Sequence, residues 1–274
     1  MAFLDIDGRS VAYRDTGPQG APLVILAHPL GMTQAVWDAI TPALAEHYRV
    51  ITWDLPGHGA SATRTGEIRP EHLAAEALAL AEHAGAQRFR FVGTSIGGVI
   101  GQQLLIQAPE RLQGMVLTNT GAVIGTPDNW HTRARRVREE GIGALVNEIV
   151  PRWFSSASRQ ATPALEAGWK TVLARTDGES YARLCELLGA VDYRGKLRGA
   201  GLGVHLLGGS EDLATPPETL QALDAELANS ELEILEGVAH VPSLDCPDTL
   251  SQRLLAWLAG DRETAGGDPM GSNG

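Results

Sequence analysis

Short runs of apolar residues recur along the chain, and their spacing predicts an alternation of strands and helices. Phe3-Leu4-Asp5-Ile6 and Ser10-Val11-Ala12-Tyr13 flank Asp7-Gly8, a two-residue turn signal, and predict a hairpin. The segment from Pro22 through Leu23-Val24-Ile25-Leu26 to Ala27 is continuously apolar, as suits a strand buried on both faces of a parallel sheet. Similar runs follow at Arg49–Trp53, Phe89–Val92, Met115–Thr118, Val204–Leu207 and Leu232–Leu235. Helical segments separate them. Pro70–His83 is rich in Ala, Leu and Glu and opens on Pro, a favoured first helical residue. Gly97–Gln107 is mostly apolar and predicts a buried helix, and Glu218–Leu227 and Thr249–Leu258 carry helical periodicity. This order implies an α/β fold, a mostly parallel sheet flanked by helices.

One stretch breaks the alternation. From about Ile124 to Arg198 there is no run of the buried-strand kind, but there are helical patterns, Trp130, Trp153, Trp169 and many Arg and Glu residues. A connection this long must have structure of its own. The expected organisation is a core of residues 1–123 and 199–260, an inserted helical cap at 124–198, and a flexible polar tail at 261–274.

Composition narrows the function classes. The 274 residues are 43% hydrophobic with a formal net charge of -11, which suits a large core and argues against nucleic-acid binding. An anionic substrate would need a locally positive pocket to overcome that overall field. Two distant cysteines, Cys185 and Cys246, make neither a disulfide framework nor a metal site. The opening Met1-Ala2-Phe3-Leu4-Asp5 lacks the features of a signal peptide. The uncharged stretches Gly17–Trp37 and Phe91–Pro109 read as strand-turn-helix, so a cytoplasmic protein without a membrane partner is expected. No metal-ligand cluster or phosphate cradle stands out, and no cofactor is expected.

The strongest motif is Gly93-Thr94-Ser95-Ile96-Gly97, a G-x-S-x-G placed directly after a strand and before a helix. That setting forces Ser95 onto a tight turn, where bulky residues two positions away on either side would clash. It makes Ser95 the candidate nucleophile, with the following helix presenting its N-terminus to developing negative charge. An oxyanion hole needs two N–H donors. Ile96 offers one. His28-Pro29-Leu30-Gly31 follows the first buried strand and offers the other through Leu30, because Pro29 has no N–H.

A serine nucleophile needs a base, and the base an orienting acid; in this arrangement the chain order is Ser, acid, His. Of eight histidines, only His205 and His240 lie well downstream of Ser95. His205 falls inside a strand, so His240, in Val238-Ala239-His240-Val241-Pro242, is the candidate base. Gly209-Ser210-Glu211-Asp212-Leu213-Ala214-Thr215-Pro216 offers Glu211 and Asp212 as acids. It resembles the G-x-x-D-x-x-x-P turn of such proteins, which favours Asp212. His47, His72 and His83 read as surface residues and His131 as part of the cap. His28 and His58 occupy turns near strand ends and suit structural roles, and Asp54–Ser61 reads as a structural turn near the site.

These motifs together resemble the 3-oxoadipate enol-lactonases of the α/β-hydrolase superfamily. The more specific likeness lies in Gly93–Gln102, Ala108–Leu112, Val116–Ala122, Ile124–Pro127, Trp130 with Arg133, and Trp153-Phe154. The resemblance implies an α/β-hydrolase fold and a hydrolase that opens a small carboxylate-bearing lactone through an acyl-serine. It implies substrate contacts from Arg133, Trp130, Trp153 and His28. Arg133, Arg135, Arg136 and Arg138 also suit solvation of a cap helix, and both tryptophans suit cap packing. A small-ester carboxylesterase or perhydrolase, a C–C bond hydrolase, or a ligand-sensing receptor on the same fold are the alternatives.

Overall fold

The computed structural model describes residues 1–197 and 201–264. Eight strands form one sheet: β1 (Ala2–Ile6), β2 (Arg9–Thr16), β3 (Leu23–Ala27), β4 (Arg49–Trp53), β5 (Phe89–Thr94), β6 (Leu112–Thr118), β7 (Val204–Gly209) and β8 (Ser230–Leu235). Their order is β1-β2-β4-β3-β5-β6-β7-β8. The first two form the expected hairpin, and β2 runs antiparallel to β4. Every later pairing is parallel. All residues of β3, β4 and β5 are buried, which is why their sequences are apolar runs rather than alternations. The edge strand β8 is only half-buried, and its Glu231 and Glu233 alternate with apolar positions.

The flanking core helices are α1 (Thr41–Ala45), α2 (Pro70–His83), α3 (Ile96–Gln107), α9 (Pro217–Asp224), α10 (Pro242–Asp245) and α11 (Pro247–Thr264). The short α1 and α10, and a 3-10 turn at Gln34–Trp37, carry too few residues to show a period. Helix α11 continues to Thr264, into the stretch expected to be a tail; residues 265–274 lie outside the described ones.

Between β6 and β7 lie α4 (Pro127–Glu140), α5 (Ile142–Ile149), α6 (Ser156–Ala161), α7 (Ala164–Ala174) and α8 (Gly178–Ala190), with no strand among the described residues of this insertion. The expected return to the core at 198–199 lies outside the described residues. Local signals start these helices. Thr126 Oγ1 accepts the Asn129 N–H at the head of α4, and Asp177 Oδ1 accepts that of Ser180 at the head of α8. Helix α4 lies along α8, and Arg138 of α4 pairs with Glu179 and Glu186 of α8.

One ion pair is fully enclosed. Arg9 of β2 meets Glu76 of α2, with side-chain exposures of 6% and 1%. Trp53 Nε1 donates to Glu76 Oε2 at 3.3 Å. Burial raises the pKa of the Glu76 carboxyl, while Arg9 works to lower it. Replacing Glu76 by Ala strands a buried cation, and is expected to lower unfolding free energy by about 3–5 kcal/mol. Urea unfolding midpoints check this; a loss under about 1 kcal/mol would mean that Arg9 finds water on losing its partner.

Candidate functional site

The parallel strands β3, β5, β6, β7 and β8 end on one edge of the sheet, where α/β sheets take their ligands. Ser95 follows β5 and precedes α3, with φ 59° and ψ -117°. A non-glycine residue there is strained and must be held by its surroundings. Two glycines allow the turn. A Cβ on Gly93 would come 2.2 Å from the Gly97 carbonyl oxygen, and one on Gly97 would come 2.3 Å from that of Ala27. Hydrogen bonds to the β6 side then pin it. The Ser95 N–H donates to the Thr118 carbonyl at 3.0 Å, and Thr120 Oγ1 donates to the Ser95 carbonyl at 2.8 Å.

The structure brings Asp212 and His240 together. His240 Nδ1 lies 2.9 Å from Asp212 Oδ2 and 3.1 Å from Oδ1, with both side chains buried. Asp212 also accepts from the Ala214 and Thr215 N–H groups, from Thr215 Oγ1 at 2.7 Å, and from Asn119 Nδ2 at 2.8 Å. Burial alone would raise its pKa. His240, Asn119 and Thr215 together bring it to about 2, so the carboxylate is ionised and acts as an acceptor. Glu211, the other acid considered, turns away and accepts the Ser156 N–H of the insertion at 3.2 Å.

Leu30 lines the cavity onto which Ser95 and His240 open, and Ile96 is the first residue of α3, its side chain fully buried. His28, expected as a substrate contact, does not line the cavity. Its ring is fully buried, with Nδ1 2.8 Å from the Pro29 carbonyl and Nε2 accepting the Leu55 N–H at 3.0 Å. His58 returns the arrangement: its Nδ1 faces the Pro56 carbonyl at 2.9 Å and its Nε2 accepts the Gly31 N–H at 3.0 Å. Each of the two loops, after β3 and after β4, thus lends a histidine to the backbone of the other. The loop holding Leu30 is braced by both, so His28 contributes to the site's shape from behind it.

The cavity has a volume of about 130 Å³. Trp130, Arg133, Arg152, Trp153 and Tyr181 form much of its wall on the insertion side. The Arg133 guanidinium lies 4.8 Å from the centre of the Trp130 ring. Among the described residues, no carboxylate pairs with Arg133 or Arg152. Arg136 is taken by Glu140 and Glu148, and Arg138 by Glu179 and Glu186. Neither lines the cavity, nor does Arg135, so only Arg133 of the four α4 arginines faces the site. Arg152 donates to the Leu213 carbonyl beside Asp212.

A family model described as the alpha/beta hydrolase family matches residues 24–253, most of the chain. The chain belongs to that family. This hydrolase is similar to 3-oxoadipate enol-lactonase 2 of Acinetobacter baylyi, with 31% identity over 89% of this chain and 91% of the relative. Its backbone superposes on the crystal structure of the enol-lactonase from Burkholderia xenovorans with a TM-score of 0.90, at 30% identity, covering 94% of this chain and all of that one. It is also similar to a pimeloyl-[acyl-carrier protein] methyl ester esterase of Klebsiella pneumoniae, 28% identical over 85% of this chain and 92% of that protein.

The remaining candidates sit apart from the hydrolase's cavity. His205 stacks on Trp257 at 4.9 Å, and His83 bonds the Tyr13 hydroxyl. His47 and His131 are exposed and His72 is half-buried. Burial pushes the Cys185 thiol up to about 12 and the Cys246 thiol up to about 11, which keeps both un-ionised at neutral pH. No described helix is long and apolar enough to cross a membrane, and the described residues contain no cluster able to hold a metal.

The paired histidines give the fold an acid-sensitive point. Burial lowers the pKa of both, and takes His58 down to about 3, below its ordinary 6.5. Between those values the unfolded chain binds more protons than the folded one, so stability falls as pH drops below 6.5. Each histidine contributes a slope of up to about 1.4 kcal/mol per pH unit. The Asp212 carboxylate, depressed from 3.8, adds its loss only at lower pH. Urea unfolding at pH 7 and pH 4.5 should show this slope, and His58→Gln, which keeps one donor and one acceptor, should reduce it. An unchanged slope in that variant would remove His58 from the account.

Proposed function

We propose that the chain is a serine hydrolase that opens a small, carboxylate-bearing enol-lactone of the 3-oxoadipate enol-lactone type. The observation that carries this reading is Arg133, an arginine without a carboxylate partner among the described residues, in the same cavity as Ser95 and His240. In a protein of net charge -11, an unmatched cation in the cavity is what an anionic substrate requires. Size agrees: about 130 Å³ is on the scale of the ~150 Å³ that admits one benzene-sized ring.

In this reading Ser95 Oγ attacks the lactone carbonyl while His240 Nε2 takes its proton. Asp212 holds the imidazole by Nδ1 and stabilises its cationic form. The Leu30 and Ile96 N–H groups receive the oxyanion, aided by the N-terminus of α3. Collapse breaks the ring C–O bond, and His240 returns the proton to the leaving enolate oxygen. The freed enol tautomerises to a ketone, so the alcohol needed to re-close the ring is removed. Water, activated by His240, then cleaves the acyl-serine and releases a second carboxylate. Arg133 holds the substrate's own carboxylate, with Trp130 and Trp153 as apolar walls against the ring.

A simple small-ester esterase is the second reading, favoured by the likeness to a methyl ester esterase and by the apolar Leu30, Ile124 and Ile149 in the wall. Steady-state kinetics on 3-oxoadipate enol-lactone and on p-nitrophenyl acetate separate the two. The lactonase reading predicts kcat/KM on the lactone higher by on the order of a hundred-fold, about 3 kcal/mol of transition-state binding. An equal or better ester would leave the triad in place and make the chain an esterase.

Arg133→Ala is expected to raise KM for the lactone on the order of 10-fold or more, with little effect on the neutral ester. Equal losses on both substrates would contradict the counter-ion role.

A further inference from the structure

Beyond the cavity, one short segment of the insertion reaches both the loop that carries Asp212 and the end of α10, just after His240. Arg152 donates to the Leu213 carbonyl, the Ser156 N–H donates to Glu211, and the Ser155 N–H donates to both oxygens of Asp245 at 3.2 Å. The third contact differs from the others because Asp245 is shared. Its Oδ2 also accepts the Ala239 N–H at 2.7 Å, on the residue immediately before His240. The Ala239 carbonyl, which belongs to the peptide joining Ala239 to His240, accepts from Asn119 Nδ2 at 3.0 Å. The backbone entering His240 is therefore held at one end by Asn119, which also grips Asp212, and at the other by Asp245.

The held backbone has little room to relax toward the core. Gly209 packs so closely beneath it that a Cβ there would lie 2.1 Å from the Val238 carbonyl oxygen and 2.6 Å from that of Ala239. Ser155, on the insertion side, is 2% exposed, and its own side chain caps the N-terminus of α6 through the Ser158 N–H at 3.2 Å. Trp153 and Phe154, packed edge to face, connect this anchor to the cavity wall.

We propose that Asp245 is a positioning residue that locks the helical insertion to the peptide carrying His240, so that the base is aligned on Asp212 only while the insertion is seated. Asp245 does not line the cavity. It acts through Ala239, and this rests on reading Ser95, Asp212 and His240 as the triad. Losing the lock allows the His240 backbone to shift, and a misplacement of roughly 1 Å costs on the order of a hundred-fold in rate. Binding of substrate, which depends on the wall residues, is largely spared.

The test compares Asp245→Ala with Asp245→Asn on p-nitrophenyl acetate, a neutral ester that makes the result independent of the lactone assignment. Both variants remove the charge, but Asn keeps an oxygen that accepts the Ala239 N–H. The expected result is a kcat fall on the order of 10- to 100-fold in the Ala variant with KM little changed, and recovery of most of it in the Asn variant. The proton NMR signal between His240 Nδ1 and Asp212 should broaden in the Ala variant and persist in the Asn variant. Equal losses in the two variants, or a raised KM with kcat and the proton signal intact, would overturn the proposal.

If the Ala variant does not fold, Ser155→Pro gives the same test from the other side. Ser155 has φ -63°, which proline adopts, and the substitution removes the N–H donor and the hydroxyl cap. Ser155→Ala removes the cap alone. A kcat fall in the Pro variant beyond that in the Ala variant supports the lock; equal kcat values in the two overturn it. A Ser95→Ala control separates the layers of the argument, since turnover surviving there would sink the triad reading itself, whatever Asp245 does.

Discussion

Ser95 sits at a positive φ that its own side chain disfavours, and much of the site follows from how that conformation is imposed. Strain of this kind, on the order of 1–3 kcal/mol, persists only where the surroundings leave no alternative. Here the Gly97 carbonyl lies against Gly93, and the Ala27 carbonyl against Gly97, so β3, β5 and α3 approach more closely than any side chain would allow. Thr118 and Thr120 then fix the turn to β6. Between those two threonines, Asn119 is also at positive φ, and it is the one that reaches Asp212 and the Ala239 carbonyl. Two residues at positive φ, at the ends of neighbouring strands, thus set the Ser95 turn and the Asp212–His240 pair in one frame.

Electrostatics separates the groups by role. The Asp212 carboxylate is held ionised by converging donors, and His28 and His58 are held neutral by burial, because each must keep an acceptor nitrogen for a backbone N–H. Arg136 and Arg138 are neutralised by glutamates on the insertion's surface, which leaves Arg133 as the α4 cation directed at the cavity. The cavity wall therefore brings apolar and aromatic side chains together with a cation, a combination suited to a small ring bearing a carboxylate.

Much of this was legible in the chain. Apolar runs marked the buried strands because parallel strands covered on both faces have no polar side. G-x-S-x-G marked the turn because only glycine tolerates those carbonyl approaches. Chain order left His205 and His240, and the strand around His205 favoured His240 as the candidate base. What the sequence hid depends on which strands become neighbours. Asn119 looks like any turn asparagine until β6 lies beside β7 and brings it to Asp212. The resemblance made His28 a substrate contact, but β4 next to β3 brings the Leu55 N–H to its ring. The choice between Glu211 and Asp212 rested on a turn pattern; in the structure Asp212 faces His240 and Glu211 accepts from the insertion. Asp245 carried no readable signal, since its partners come from an irregular segment of the insertion and from the loop before His240.

The central claim is that Ser95 is the nucleophile and His240 its base. Reaction with a fluorophosphonate, followed by intact-mass and peptide mass spectrometry, tests it most directly. The account predicts one adduct per chain, located on the peptide containing Ser95, absent in Ser95→Ala and formed far more slowly in His240→Ala. An adduct on another residue, or undiminished labelling of the Ser95→Ala protein, would contradict it.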